Sequence, residues 1–565
     1  MPLLKWVNDA DARRAASQVP FHLLERKAVY GDPDQAENNL IVHGDNLVAL
    51  KALLPFYKGK VKCIYIDPPY NSGNAFEYYD DNLEHSQWLS LMYSRLVLLR
   101  DYLQESGCIW IQIDDDEQAY LKTLCDEVFG RNNFINMISV NMKNISGASG
   151  GGEDKKLKKN CEYILVYAKS YSTFKGFNPV FEYKVLDQYI KQYKDEGRSW
   201  KYVTVFNGYS EKTYLGSCLD GSGNEIKVYK LSGVQTQSVN QAMKNEGLEN
   251  DQSSFYKRYG VKIFRTTNSQ SSIRQRVIEF KKLNNIKDEW LAIEYIPKSG
   301  KNKGQMYEQL YKDEVLVVWL KDTLTEINGQ VYKKEAIGTY WDMNPNMKNL
   351  TKEGGVLFPN GKKPEALIQR ILELSTQPGD LVMDSFLGSG TVAAVSQKMN
   401  RNYIGIEMGP HALTHCIPRM QKVIDGEQGG ISKSANWHGG GGFSFYELSA
   451  QVFDKYGAIN PQVPFEILAA YIWQSETGCV GSLEKKPFLG VRGGLGIYLL
   501  YNGVLGYRRP ESGNVLTPEL LNDLLAQYPH DGSKVIYAEA MIGIDELELR
   551  ERMITFKQIP YDIRD

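Results

Sequence analysis

A chain of 565 residues is too long for one hydrophobic core, and 42% hydrophobic with 24% charged residues is the composition of a globular protein of roughly three or four domains. No apolar leader or membrane-length run is found, so membrane insertion is not expected, and seven scattered cysteines without a C-x-x-C pair suit reduced cytoplasmic thiols; a zinc or disulfide framework is not indicated. A net charge of −2 excludes a uniformly basic coat, yet residues 136–335 hold 32 Lys+Arg against 23 Asp+Glu, a +9 region beside a remainder of −11 that points one part of the chain at phosphates.

In chain order, residues 1–40 are polar and read as irregular or helical. Leu40 to Asn46 (LIVHGDN) reads as a short strand closed by a Gly-Asp turn, with a helix over Leu47 to Leu54. Val61 to Ile66 is an apolar run of strand length, stopped by Asp67-Pro68-Pro69-Tyr70. Trp88, Leu91, Met92, Arg95, Leu96, Leu99 and Leu103 recur at helical steps, in a helix that Gly107 is expected to end. Cys108 to Ile113 is a third strand, and Asp114 to Glu117 read as the acidic start of a helix over Tyr120 to Phe129, not as a metal site.

Beyond Phe134 this rhythm fades. Residues 136–335 carry a glycine-rich loop (Ser146 to Gly152) and a basic set spread among aromatics and amides. Lys155, Lys156, Lys158, Lys159, Arg265, Arg274, Arg276, Lys298, Lys301 and Lys303 are the candidate DNA contacts. Order returns with Lys363-Pro364 and a helix over Ile368 to Leu374. A strand ending at Asp384, a glycine turn (Ser385 to Thr391), a helix over Val392 to Met399 and a strand from Tyr403 closed by Glu407 follow. Such a strand–turn–helix brings backbone N–H groups to a ligand, and an acid after the next strand suits ribose hydroxyls. That context fits a nucleotide-like cofactor without separating a nicotinamide from S-adenosylmethionine. His411 and His415 read as helix-surface histidines, and residues 451–565 carry no catalytic constellation. The expected divisions are 1–135, 136–335, 336–450 and 451–565.

Asp67-Pro68-Pro69-Tyr70 supplies an acid, a free carbonyl and an aromatic ring on stiff backbone at a strand's end. Asp67 and the Pro68 carbonyl offer hydrogen-bond acceptors there, and the Tyr70 ring offers a face for stacking. With the later Phe386-x-Gly388-Ser389-Gly390, this tetrapeptide resembles the DNA amino-methyltransferases that modify adenine N6 or cytosine N4. The catalytic motif comes first and the cofactor motif follows a long basic insert, which resembles their β arrangement. HGDN at 43–46, YIDPPYNSGN at 65–74, IQIDDDE at 111–117, CEYILVYAK at 161–169 and KPEALIQRIL at 363–372 are similar to the Mod subunits of type III restriction-modification systems.

The resemblance implies an α/β fold: a circularly permuted, Rossmann-like doubly wound sheet with an inserted α+β target-recognition domain and a C-terminal accessory domain. It implies that Phe386, Gly388, Ser389 and Gly390, with Thr391 and Lys363, cradle S-adenosylmethionine, that Asp384 lies near its amino-acid end, that Glu407 holds its ribose and that Asp45 meets its adenine. Asp67, Pro68, Pro69 and Tyr70 would be catalytic, without a metal. The aspartate leans toward adenine N6, with cytosine N4 or a stand-alone enzyme as alternatives. Double-stranded DNA, a second copy of the chain and an ATP-dependent helicase-nuclease are the implied partners. The chain has no Gly-x-x-x-x-Gly-Lys-Ser/Thr loop of its own. A nicotinamide oxidoreductase would use the glycine turn but leave Asp67–Tyr70 unexplained.

Overall fold

The apolar run ahead of the two prolines lies near the middle of a ten-stranded sheet in the computed structural model. The structure describes residues 3–71, 84–143, 157, 159–287, 289–298, 302–348, 350–358, 361–453, 458–461, 463–477, 485–506 and 508–559. The strands are β1 (Phe21–Gly31), β2 (Leu40–His43), β3 (Val61–Ile66), β4 (Leu103–Ile113), β5 (Phe134–Asn141), β6 (Cys161–Ala168), β7 (Tyr340–Asp342), β8 (Leu381–Asp384), β9 (Asn402–Glu407) and β10 (Gly442–Phe453). They lie in the order β1-β10-β2-β9-β8-β3-β4-β6-β5-β7.

From β10 to β4 all neighbours are parallel. β1 is antiparallel to β10, and β6 runs against both β4 and β5. Parallel strands must be covered on both faces, and alternate residues here join different cores. Leu40, Val42, Ile404 and Ile406 share a core with Leu50 and Leu53 of α1 (Asn46–Tyr57) and Met92 and Leu96 of α2 (His85–Tyr102). Ile41 and Tyr403 instead join Ala393 of α3 (Thr391–Lys398) and Met420 of α4 (Ile417–Ile424). The fold is an open α/β sheet with helices on its two faces, and its central parallel strands aim their carboxyl ends at one edge.

Several sequence expectations are corrected. Residues 21–31 form a strand, not irregular or helical chain: one flank of β1 is buried and the rest half-exposed, as an edge strand requires. Gly107 does not end a helix. The helix stops at Tyr102, and Gly107 sits where the β3–β4 register shifts, its missing Cβ 3.0 Å from the carbonyls of Val61 and Lys62. Asp114 to Glu117 do not cap the helix Gln118–Cys125, whose start has no side-chain cap. β5 and β6 belong to the large sheet, so the expected boundary at Asn136 falls inside it; the chain divides into one unit of Met1–Asn178 with Gly338–Asp565 and a second of Pro179–Ile337.

The second unit is built on an eight-stranded antiparallel sheet and a three-stranded one, with Phe264, Trp290, Ala292 and Leu310 in one of its cores. Its helix Ser272–Leu283 is capped by Ser271. In the first unit the C-terminal residues add a four-stranded sheet, and Leu468 and Ile472 of the helix Phe465–Thr477 share a core with Phe21 and Phe453. No helix among the described residues is long and apolar enough to cross a membrane.

Candidate active site at the carboxyl edge of the sheet

Pro68 and Pro69 cannot donate to a ladder, so the chain leaves the sheet after Ile66. β8 is the parallel neighbour of β3, with Val382 opposite Cys63 and Met383 opposite Ile64. The Asp67–Tyr70 turn and the glycine turn after Asp384 therefore leave the same edge from adjacent strands.

On the β3 side, the Tyr70 hydroxyl lies 2.7 Å from Asp67 Oδ1 and 2.8 Å from Glu162 Oε2; with one proton it donates to one carboxylate at a time. Lys363 Nζ donates to that hydroxyl at 2.8 Å and lies 3.2 Å from Asp67 Oδ2 and 3.1 Å from Glu162 Oε2. Gln112 Nε2 donates to the same Glu162 oxygen at 2.5 Å, and its Oε1 accepts from the Tyr65 hydroxyl at 2.6 Å. Trp88 Nε1 donates to the Pro69 carbonyl at 2.7 Å and pins the turn from α2.

Burial pushes the Asp67 carboxyl up to about 6; Lys363 opposes this, Glu162 adds to it and the Tyr70 hydrogen bond opposes it. Burial acts the same way on Glu162, but Lys363, Tyr70 and Gln112 outweigh it and hold that carboxyl below its usual range. Burial would lower the Lys363 ammonium, and the two carboxylates raise it instead.

On the β8 side the chain uses backbone. Gly388 (φ 58°) and Gly390 (φ 81°) adopt left-handed conformations, and Gly390 starts α3 without a side-chain cap, leaving helix N–H groups for a ligand. Phe386 N–H donates to Asp384 Oδ1 at 2.9 Å. Burial nevertheless pushes the Asp384 carboxyl well above the usual range, with Asp67 and Glu407 adding to the effect. Glu407, at the end of β9, accepts from Gly388 N–H at 2.7 Å and Gly409 N–H at 2.8 Å, and His411 Nε2 lies 2.9 Å from its Oε1. A Cβ at Gly409 would lie 2.3 Å from the His411 ring, so only glycine fits. Arg419 is fully buried; its guanidinium donates to Thr391 Oγ1 and Glu365 Oε1, each at 2.8 Å, and lies 3.3 Å from Ser389 Oγ.

Asp45 caps α1, accepting from Leu47 and Val48 N–H at 2.9 and 3.1 Å, and pairs with Arg95 at 3.2 Å. Asn46 Nδ2 ties this turn to the Ser385 carbonyl at 2.8 Å. The structure thus gathers Asp45, Asp384, Phe386, Gly388–Thr391 and Glu407 around one turn. The Lys363 ammonium lies with Asp67 and Tyr70, and its carbonyl accepts from Thr391 Oγ1 of the glycine turn at 3.3 Å.

Sequence reasoning missed Glu162, Gln112, His411 and Arg419. The available signal for Glu162 was an acid at the head of an apolar strand. For His411 it was the Gly-Pro turn right after Glu407; this histidine is fully buried, not on a helix surface.

The basic candidates do not converge in the same way. Lys155, Lys156, Lys158 and Lys301 lie outside the described residues. Lys159 sits among Asp114, Asp115 and Asp116, 2.7 Å from each of the last two, where its ammonium meets the charge that a metal would meet. Arg265 lies over the Tyr202 ring at 5.4 Å, Arg274 Nε donates to the Glu314 carbonyl at 2.7 Å, and Arg276 pairs with Glu279 at 3.0 Å. Lys298 and Lys303 are exposed.

A family model described as DNA methylase, covering the N6 and N4 enzymes, matches residues 61–417, more than half of the chain. The chain belongs to this DNA methylase family. The chain is 43% identical over 443 residues to the "Probable type III restriction-modification enzyme HindVI Mod subunit" of Haemophilus influenzae, a match covering 78% of this chain and 56% of that protein. It is 26% identical to the type III EcoPI Mod subunit of Escherichia phage P1, over 72% of this chain and 63% of that one. The chain thus spans between half and two thirds of the length of these curated relatives. Among solved structures, the M1.HpyAVI–SAM complex is 15% identical and covers 67% of this chain and 98% of its own, at a TM-score of 0.28, a likeness too slight to bear on the fold.

Proposed function

We propose that the chain transfers a methyl group from S-adenosylmethionine to the N6 amine of an adenine flipped out of double-stranded DNA. It would act in the cytoplasm as the modification subunit of a restriction system. A second copy of the chain and an ATP-dependent helicase-nuclease are the proposed partners, in keeping with the type III Mod names of its relatives. One observation carries the reading: an acid, a tyrosine and an ammonium meet within hydrogen-bond distance at the mouth of β3, beside a glycine turn on the adjoining strand.

The residues around Gly388 suit S-adenosylmethionine. Left-handed glycines shape the turn, the uncapped start of α3 offers backbone donors, the buried Ser385 hydroxyl has no hydrogen-bond partner, and Glu407 presents a carboxylate toward the turn. When bound, the cofactor supplies an electrophilic methyl group on a positively charged sulfur. The chain's part is to make the amine reactive. Its lone pair is delocalised into the ring, so Asp67 and the Pro68 carbonyl accept the amine hydrogens and favour lone-pair localisation in line with the methyl. As the N–C bond forms, the nitrogen gains positive charge and must release a proton, which the ionised Asp67 can accept. Two carboxylates against one ammonium leave this pocket net negative, which favours that charge. Tyr70 supplies a face on which the extruded base stacks.

The test is modification sequencing of DNA from cells expressing the wild type or Asp67→Ala. One sequence motif carrying N6-methyladenine only with the wild type is the expected result. Modified cytosine would change the acceptor, and unmodified DNA with both proteins would contradict the proposal.

A further inference from the structure

Glu162 lies beyond the two motifs, and the topology explains why it reaches them. β6 runs against β4, so its first residues lie at the edge where β3 and β4 end. A strand in the parallel direction would have delivered its last residues there. Glu162 is the second residue of β6; one of its oxygens takes hydrogen bonds from Gln112, the Tyr70 hydroxyl and Lys363. These partners fix the half-buried carboxylate in place, and two of them also contact Asp67.

We propose that Glu162 is a positioning residue of the transfer step, sharing the Tyr70 hydroxyl and the Lys363 ammonium with Asp67 so that neither is spent wholly on Asp67 and its carboxylate stays available to accept the amine's proton. The inference rests on the methyltransferase reading above and deepens it. Without Glu162, Lys363 would have one carboxylate to satisfy and the Tyr70 hydroxyl one acceptor, so each would turn wholly to Asp67. Among the described residues, the charged and titratable groups facing Asp67 are Lys363, Glu162, Tyr70, Tyr65 and Asp384. Removing the Glu162 charge takes away a repulsion, and removing the Lys363 charge takes away an attraction. The two substitutions must therefore move Asp67 in opposite directions, which a general loosening of the fold would not do.

The experiment is a carboxyl-carbon NMR titration of Asp67 in the full chain, comparing wild type with Glu162→Gln and Lys363→Met, with melting temperature as the check on folding. Glu162→Gln is expected to lower the Asp67 midpoint by about one pH unit and Lys363→Met to raise it by at least as much. If Glu162→Gln unfolds, Glu162→Asp serves in its place, with a smaller downward shift expected. An Asp67 midpoint that stays put in a folded Glu162 variant, or that moves the same way in both variants, overturns the inference. Because the titration needs neither cofactor nor DNA, it is read independently of whether the wild type methylates DNA.

Discussion

The two turns that leave β3 and β8 lie side by side but are held by different means. Around Asp67 the partners are charged side chains from distant parts of the chain, Glu162 and Lys363, which meet across separations of 92 and 293 residues from Tyr70. Around Glu407 the partners are the N–H groups of Gly388 and Gly409 with one buried histidine. Backbone donors cannot titrate and change little with pH, whereas a cluster of two carboxylates and an ammonium responds to every proton. The difference suits a proposed division of labour, in which one turn would hold the cofactor and the other would handle a proton.

Asp67→Ala should break the comparison most severely. It removes the amine's acceptor, so transfer should fall on the order of 10³-fold or more, measured as methyl incorporated from labelled S-adenosylmethionine into DNA. Glu407→Gln should cost less and elsewhere. Losing a charge-assisted acceptor is worth roughly 2 kcal/mol, so cofactor affinity should drop about 30-fold by calorimetry, with the rate at saturating cofactor within a few-fold of the wild type.

The pH dependence sharpens the contrast. With Asp67 raised to about 6, its acceptor form is lost as pH falls, and the single-turnover rate at saturating cofactor should decline about tenfold per unit below that point. For stability the sign is reversed. The folded state binds this proton more tightly than the unfolded chain does, so the associated stability is present below the ordinary carboxylate value and is lost as pH rises through about 6. Asp67→Asn should abolish that dependence in a melting-temperature series. The smallest effect is expected at Gly405 in β9, where a Cβ would lie 2.6 Å from Leu387 Cδ2. Gly405→Ala should destabilise the fold by about 1–2 kcal/mol by shifting the base of the glycine turn.

Both turns were legible in the sequence because each is contiguous: an apolar strand, a residue type that stops it, and a functional side chain follow one another within a dozen positions. The central parallel strands were legible for the same reason, being mostly buried. Glu162 and Lys363 were not, since their roles depend on which way β6 runs and on where the chain re-enters the sheet after Ile337. β1 was hidden because an edge strand alternates charged and apolar residues much as a polar helix or loop does. Gly107 looked like a helix stop, and only its closeness to the carbonyls of the neighbouring strand shows that it serves a bulge.

The division of labour is tested most directly by pairing cofactor calorimetry with single-turnover transfer for Asp67→Ala and Glu407→Gln. The expected result is a crossed pattern, in which Asp67→Ala binds S-adenosylmethionine like the wild type without transferring its methyl, and Glu407→Gln binds weakly yet transfers once saturated. Equal losses of binding and transfer in both variants would contradict it and make the two turns a single, inseparable site.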